Sequence, residues 1–210
     1  MIVLRKLSHY RIHTIAKQIA YNTLLQDSGI NKLVGIGFTD KLKNLSVLYE
    51  AILHQARKKQ AIYTTSQKEE GYFILFEPSN GLNSSDWTQI IWYMVQRIDL
   101  GIMLKLHQAF NHTPDSNWLF IERPFFELYL ISIKKDYEFD QYAHKILNYV
   151  KEMAQQNNAD VVVRTESSQL VTMYQSYGFE NVIRRHLVDD VYHNDLIFHS
   201  AFNLLKRKEQ

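Results

Sequence analysis

Residues 125–179 read FFELYLISIKKDYEFDQYAHKILNYVKEMAQQNNADVVVRTESSQLVTMYQSYGF, and the order of patterns within them decides the fold. Phe125 to Ile133 form a near-continuous apolar and aromatic run, the pattern of a strand buried on both faces. Residues 138–156 then place Phe139, Ala143, Ile146, Leu147, Val150 and Ala154 on one helical face. The segment 160–165, DVVVRT, is a second buried strand. Residues 168–177 form a short helix that Gly178 terminates as a C-terminal cap. Strand, crossover helix and strand together predict a right-handed parallel β-α-β unit.

Upstream, residues 2–7 (IVLRKL) read as a strand. Ser8 caps a helix carrying Ile12, Ile15, Ala16, Ile19 and Leu24, which Ser28-Gly29 stops. A second helix over 42–58 carries Leu45, Leu48, Ile52 and Ala56, and its basic end Arg57-Lys58-Lys59 suits the negative pole. Two β-rich runs, 61–66 and 71–77, flank a polar turn ending in Gly71 and predict a hairpin that Pro78 and Asn80-Gly81 close. Residues 86–111 read as helical, with Gly101 dividing them into two segments. Their stripe of Trp87, Ile91, Met94, Val95, Ile98 and Ile102 predicts a buried packing face. Downstream, strands are expected at 181–188 and 194–202, before a solvated KRKEQ tail. The whole predicts one α/β domain over 1–205: a mixed, mostly antiparallel sheet around one parallel crossover, with a helical insert at 84–112 and a core at 125–179.

Composition narrows the function. The chain has 210 residues and no cysteine, which removes disulfides, thiolate zinc sites and a cysteine nucleophile. Its net charge of +2 gives no field that selects nucleic acid or an anionic membrane. No apolar run approaches the roughly 18 residues of a membrane span, and MIVLRKLSHYRIH turns polar too early for a signal peptide. A cytoplasmic protein is expected. His9 and His13 share a helix face without a third ligand at a telling distance, so no metal is expected. His186, Asp189, Asp190 and His193 suggest a polar, substrate-facing loop. No G-x-S-x-G is present, so a serine-hydrolase elbow is unsupported.

The segment 127–179 resembles the GNAT superfamily of acyl-CoA-dependent N-acyltransferases. Tyr174, Gly178 and Phe179 match its Y-x-x-x-G-F, and Ile133, Ile146 and Leu147 fall at its apolar positions without a gap. The resemblance covers about residues 61–200, and the helical insert and FFELYLISI look most like the puromycin acetyltransferase-like branch. It implies acetyl-CoA as acyl donor and an amine of a small molecule or peptide as acceptor. It leaves the oligomeric state open, a homodimer included. The acyl group would lie between strands 125–133 and 160–165, with backbone amides near Ile131 and Ile133 holding its carbonyl. Glu138, Phe139, Gln141, Ala143 and His144 would surround the pyrophosphate. Ser167 stands where the family often has an asparagine touching the pantetheine arm. Tyr174 would be the general acid, since a phenol with pKa near 10 stays protonated at neutral pH. Glu127 matches the general base of the histone acetyltransferase branch, and period two puts Glu127, Tyr129, Ile131 and Ile133 on one strand face. The insert 84–112 and the loop 112–124 would wall the acceptor pocket.

The turn after the first strand departs from that family. Its pattern is Gln or Arg, two residues, Gly, one residue, then Gly or Ala. This chain has Glu138, Gln141 and Ala143 there, and no glycine between 102 and 177. Glycines let bare backbone N–H groups approach phosphates. Glu138 and Asp140 also bring negative charge, and like charges about 4 Å apart cost on the order of 4 kcal/mol at an effective dielectric near 20. A second reading follows from this: a GNAT-fold binding or regulatory protein without acyl transfer.

Overall fold

The computed structural model describes residues 1–4, 6–25, 29–32, 34–111, 121–188 and 191–200. The expectations for Ser28, most of the 112–124 loop, Asp189, Asp190 and the tail from 201 lie outside them. Ser8 does start the first helix: its Oγ accepts from the Arg11 N–H at 3.2 Å. The helices are α1 (His9–Leu25), α2 (Phe38–Lys58), α3 (Ser84–Val95), α4 (Leu100–Asn111), α5 (Phe139–Gln156) and α6 (Ser168–Ser176). The strands are β1 (Ile2–Val3), β2 (Ile62–Thr64), β3 (Gly71–Phe76), β4 (Phe125–Ile133), β5 (Asp160–Thr165), β6 (Glu180–Val188) and β7 (Val191–Phe198). They form one sheet in the order β1-β2-β3-β4-β5-β7-β6. The pair β4–β5 is parallel and every other neighbouring pair is antiparallel.

Each face of the sheet carries an apolar layer. Tyr63, Phe73, Leu75, Phe126, Leu128, Val161, Val163 and Leu196 pack against Ile146, Leu147, Val150 and Ala154 of α5. On the opposite face, Ile62, Tyr72, Ile74 and Phe76 pack with α1 and α2. The two sets alternate along the strands, as a pleat of period two requires. Gly71 is needed where β3 meets β4, because a Cβ there would come within 2.4 Å of Ile133 Cδ1. No helix of the described residues is long and apolar enough to cross a membrane.

Several expectations change. Strand 2–7 shortens to Ile2–Val3, and α2 starts at Phe38 rather than at 42. The insert breaks before Gly101, because the Asp99 carboxylate accepts from the Gly101 N–H at 2.8 Å and opens a new helix. The apolar stripe of α3 is not one buried face. Ile90 and Met94 are buried, whereas Trp87, Ile91 and Val95 are 37%, 48% and 46% exposed. A helix apolar on two adjacent faces shows the same periodicity from either side, and packing against α2 selects one. His186 and His193 lie in strands β6 and β7 instead of a loop.

Candidate active site

The strand β4 is not regular. Its pairing with β3 steps from Leu75↔Leu128 to Ile74↔Leu130, which leaves Tyr129 as an extra residue in a β-bulge. A bulge reverses which alternate residues face which side. Phe126 and Leu128 belong to the α5 layer, Tyr129 and Leu130 to the α1–α2 layer, and Ile131 and Ile133 to the α5 layer again. The expected common face of Glu127, Tyr129, Ile131 and Ile133 is therefore split. Glu127 and Tyr129 look toward α1 and α2, while Ile131 and Ile133 look toward α5. The strand is also only half covered: Glu127, Tyr129, Leu130 and Ile131 are partly buried rather than enclosed on both faces.

The parallel ladder ends early. It runs from Phe125↔Asp160 to Leu128↔Val163, although β4 continues to Ile133 and β5 to Thr165. The strands part beyond Leu128, where the family resemblance would put the acyl group. Glu127 sits one residue before the parting. The turn after β3 lies over it, since a Cβ on Gly81 would stand 3.3 Å from Glu127 Oε2. Burial raises the pKa of Glu127, opposed by the Arg164 guanidinium and aided by the Asp195 carboxylate. Beside it, burial and the charge of Glu127 push the Tyr129 phenol up as well. Tyr49, on α2, shares a 2.9 Å hydrogen bond with Thr23 and is pushed up to about 12, chiefly by burial.

On the other side of the parting stands Tyr174, in the same apolar layer as Leu128 and Val163. The Y-x-x-x-G-F motif resolves into a helix C-cap. Gly178 has φ +85°, the Phe179 N–H donates to the Tyr174 carbonyl at 3.1 Å, and the two rings pack 5.4 Å apart. That accounts for the backbone and rings of the motif and leaves the phenol group. Tyr174 is 3% exposed, and among the described residues its hydroxyl has no hydrogen-bond partner. Burial raises its pKa well above the ordinary phenol range, so it stays protonated.

The turn into α5 holds the remaining sequence-predicted residues. Glu138 is the N-cap residue by position, but its side chain makes no cap hydrogen bond. Glu138, Asp140 and Gln141 are exposed, Phe139 packs at the rim of the α5 layer, and Ala143 is fully buried. His144 lies outward: its Nδ1 is 3.1 Å from the Tyr177 hydroxyl and its Nε2 2.9 Å from Asn148. Ser167 is buried, and its Oγ caps α6 by accepting from the Leu170 N–H at 3.4 Å. Asn22 of α1 reaches the end of β4, donating to the Ile133 carbonyl at 2.6 Å.

Arg164, Glu166, His193 and Asp195 carry no motif that marks them in the sequence. They meet beside Glu127 because β7 inserts between β5 and β6. An alternating charged pattern in two strands was the only available signal. His9 and His13 both face α2: His13 pairs with Glu50 at 2.9 Å, and His9 packs against the ring of His54, whose Nε2 lies 3.9 Å from the same Glu50. Among the described residues no group of three or more His, Asp or Glu side chains could hold a metal ion.

No protein-family model and no curated protein sequence matches the chain. Solved structures do match. The C-terminal condensation domain of Ebony, in complex with β-alanyl-dopamine, has a TM-score of 0.60 at 9% identity, over 91% of this chain and 95% of that one. Arylalkylamine N-acetyltransferase 2 from Aedes aegypti has a TM-score of 0.59 at 13% identity, over 92% and 96%. An N-acetyltransferase from Staphylococcus aureus Mu50 has a TM-score of 0.53 at 14% identity, over 92% and 98%. A seven-stranded, mostly antiparallel sheet with one parallel pair is the GNAT-like acetyltransferase fold.

Proposed function

We propose that this chain is an N-acyltransferase that moves an acetyl group from acetyl-CoA to an amine of a small molecule or peptide. One observation carries the reading. The β4–β5 ladder ends at Leu128↔Val163, with the Glu127 carboxyl on one face of the sheet and, on the other, the Tyr174 hydroxyl, which is unpartnered among the described residues. Donor and acceptor would approach from opposite faces and meet in the parting. Glu127, with its raised pKa, takes a proton from the acceptor ammonium through water, which frees the nitrogen lone pair. The nitrogen bonds to the thioester carbonyl carbon, the C–S bond breaks, Tyr174 gives its proton to the departing sulfur, and the second proton lost by the new amide nitrogen restores the Tyr174 phenol. Backbone amides of the widened end of β4, near Ile131 and Ile133, hold the oxyanion. Backbone N–H groups at the start of α5, from Phe139 on, face the pyrophosphate, because no side chain caps them.

Support beyond the geometry is the fold shared with acetyltransferases, one of them an arylalkylamine enzyme. The aromatic wall of Tyr49, Phe76 and Tyr129 beside Glu127 suits an acceptor with an apolar body. The acidic, glycine-free turn at Glu138, Asp140 and Gln141 favours the second reading, a GNAT-fold binding module that does not transfer acyl groups. Calorimetric titration with acetyl-CoA and CoA decides between them, with thiol release measured over a panel of amines. Binding with thiol release supports the enzyme, and no binding at millimolar coenzyme leaves the binding module. In the enzyme, Tyr174→Phe should slow turnover with little change in coenzyme affinity, and an unchanged rate would remove its role.

A further inference from the structure

On the face turned toward α1 and α2, the sheet changes character beyond β4. By alternation with Val161 and Val163, the residues Val162, Arg164 and Glu166 share the face of Glu127. The register sets Asp195 opposite Arg164, and His193 opposite Arg185. Asp195 has no exposed surface. Its carboxylate lies 2.7 Å from Arg185 Nη2, 3.2 Å from His193 Nε2 and 3.6 Å from Arg164 Nε. The other ring nitrogen of His193, Nδ1, lies 2.9 Å from Glu166 Oε1. A carboxylate beside each ring nitrogen favours the imidazolium form. Burial opposes that charge, but the hydrogen bonds to Asp195 and Glu166 outweigh it and push the imidazole up to about 9.

The register brings this row beside Glu127: Glu127 pairs with Val162 across β4 and β5, Arg164 is the next residue of β5 on that face, and Asp195 is its partner on β7. The groups around that carboxyl are Tyr129 on its own strand, Tyr49 from α2, Arg164 and Glu166 at the end of β5, and His193 and Asp195 from β7. Arg185 of β6 holds the far side of Asp195. Of these, Arg164 favours the ionised form of Glu127 and Asp195 disfavours it. Their cross-strand pairing fixes one relative to the other.

We propose that Arg164 and Asp195 are positioning residues that act on Glu127 through their opposite charges: His193 and Arg185 hold Asp195 in place, and the balance of the pair sets how tightly Glu127 keeps its proton. The inference rests on Glu127 as the base of the proposed transfer, and its test does not depend on turnover.

The test is a titration of the full chain with ¹³C-labelled glutamate side chains, read by NMR, with Glu127 assigned through Glu127→Gln. Arg164→Gln should raise the Glu127 midpoint and Asp195→Asn should lower it, each by about half a pH unit or more. Arg164→Lys should return the midpoint toward the native value. Opposite signs are the signature, because a merely structural role would loosen the site in both variants and move both the same way. Midpoints that stay in place, or that move together, overturn the proposal. If Asp195→Asn does not fold, the Arg164 pair decides: a lysine that leaves the midpoint where glutamine put it overturns it. The acid limb of kcat/KM for acetyl transfer should follow the same two directions. Absence of turnover in every form sinks the acyltransferase reading while the NMR midpoints still decide the charge row.

Discussion

The two faces of the sheet are built on different terms. The α5 face is apolar from Tyr63 on β2 across to Leu196 on β7, and helix α5 lies over it. The opposite face is apolar only as far as β4, where Ile74, Phe76 and Tyr129 meet α1 and α2. Beyond it, β5, β7 and β6 carry Arg164, Glu166, His193, Asp195 and Arg185. Burial area stabilises the first face and asks little of individual side chains beyond volume. The second depends on each charge finding its partner, since a buried carboxylate without one costs several kcal/mol. Glu127 stands on the line between them. A position there is desolvated by the apolar side and tuned by the charged side, the setting that the proposed transfer asks of its base.

Adjacent residues on β4 sharpen this contrast. Glu127→Gln should cut amine-dependent thiol release by about 10²–10⁴-fold, the usual range for a lost general base, and leave the melting temperature unchanged or raised. A large loss of stability with full activity would reverse the assignment of faces. Phe126→Ala, one residue away in the α5 layer, should cost about 3–5 kcal/mol in denaturant unfolding.

His193 supplies the next effect. Its folded pKa of about 9 exceeds the unfolded value of 6.5, so its contribution is fully present below about pH 6.5. That contribution is lost as pH rises through 9, about 3 kcal/mol in all. Unfolding free energies from pH 6 to 10 should show this decline in the native chain and a flatter profile in His193→Gln. The smallest change is expected at Trp92, which is 67% exposed on α3: Trp92→Gln should shift stability by no more than about 0.5 kcal/mol.

Legibility in the sequence followed locality. The boundaries of β4 and β5, the length of α5 and the cap at Gly178 depend on patterns within a few residues, and they fell where the spacing placed them. The faces of β4 did not, because one extra residue opposite Ile74 and Leu75 inverts the alternation and nothing in FFELYLISI announces it. The apolar stripe of α3 was visible, but which half of it faced α2 was not. The candidate site divided in the same way. Tyr174 could be found through its motif and Glu127 through its place on the strand. Arg164, Glu166 and Asp195 could not, since their grouping needs β7 to pair with β5 at one register.

By itself, the order of apolar and polar residues determined that this chain makes a mixed sheet around one strand–helix–strand crossover, since periods of two and of about 3.6 are properties of the local backbone. Only the tertiary structure decided where that sheet opens, which residues share each side of the opening, and which charges surround Glu127. Those depend on strand register and on a bulge, and both are settled by packing between segments far apart in the chain.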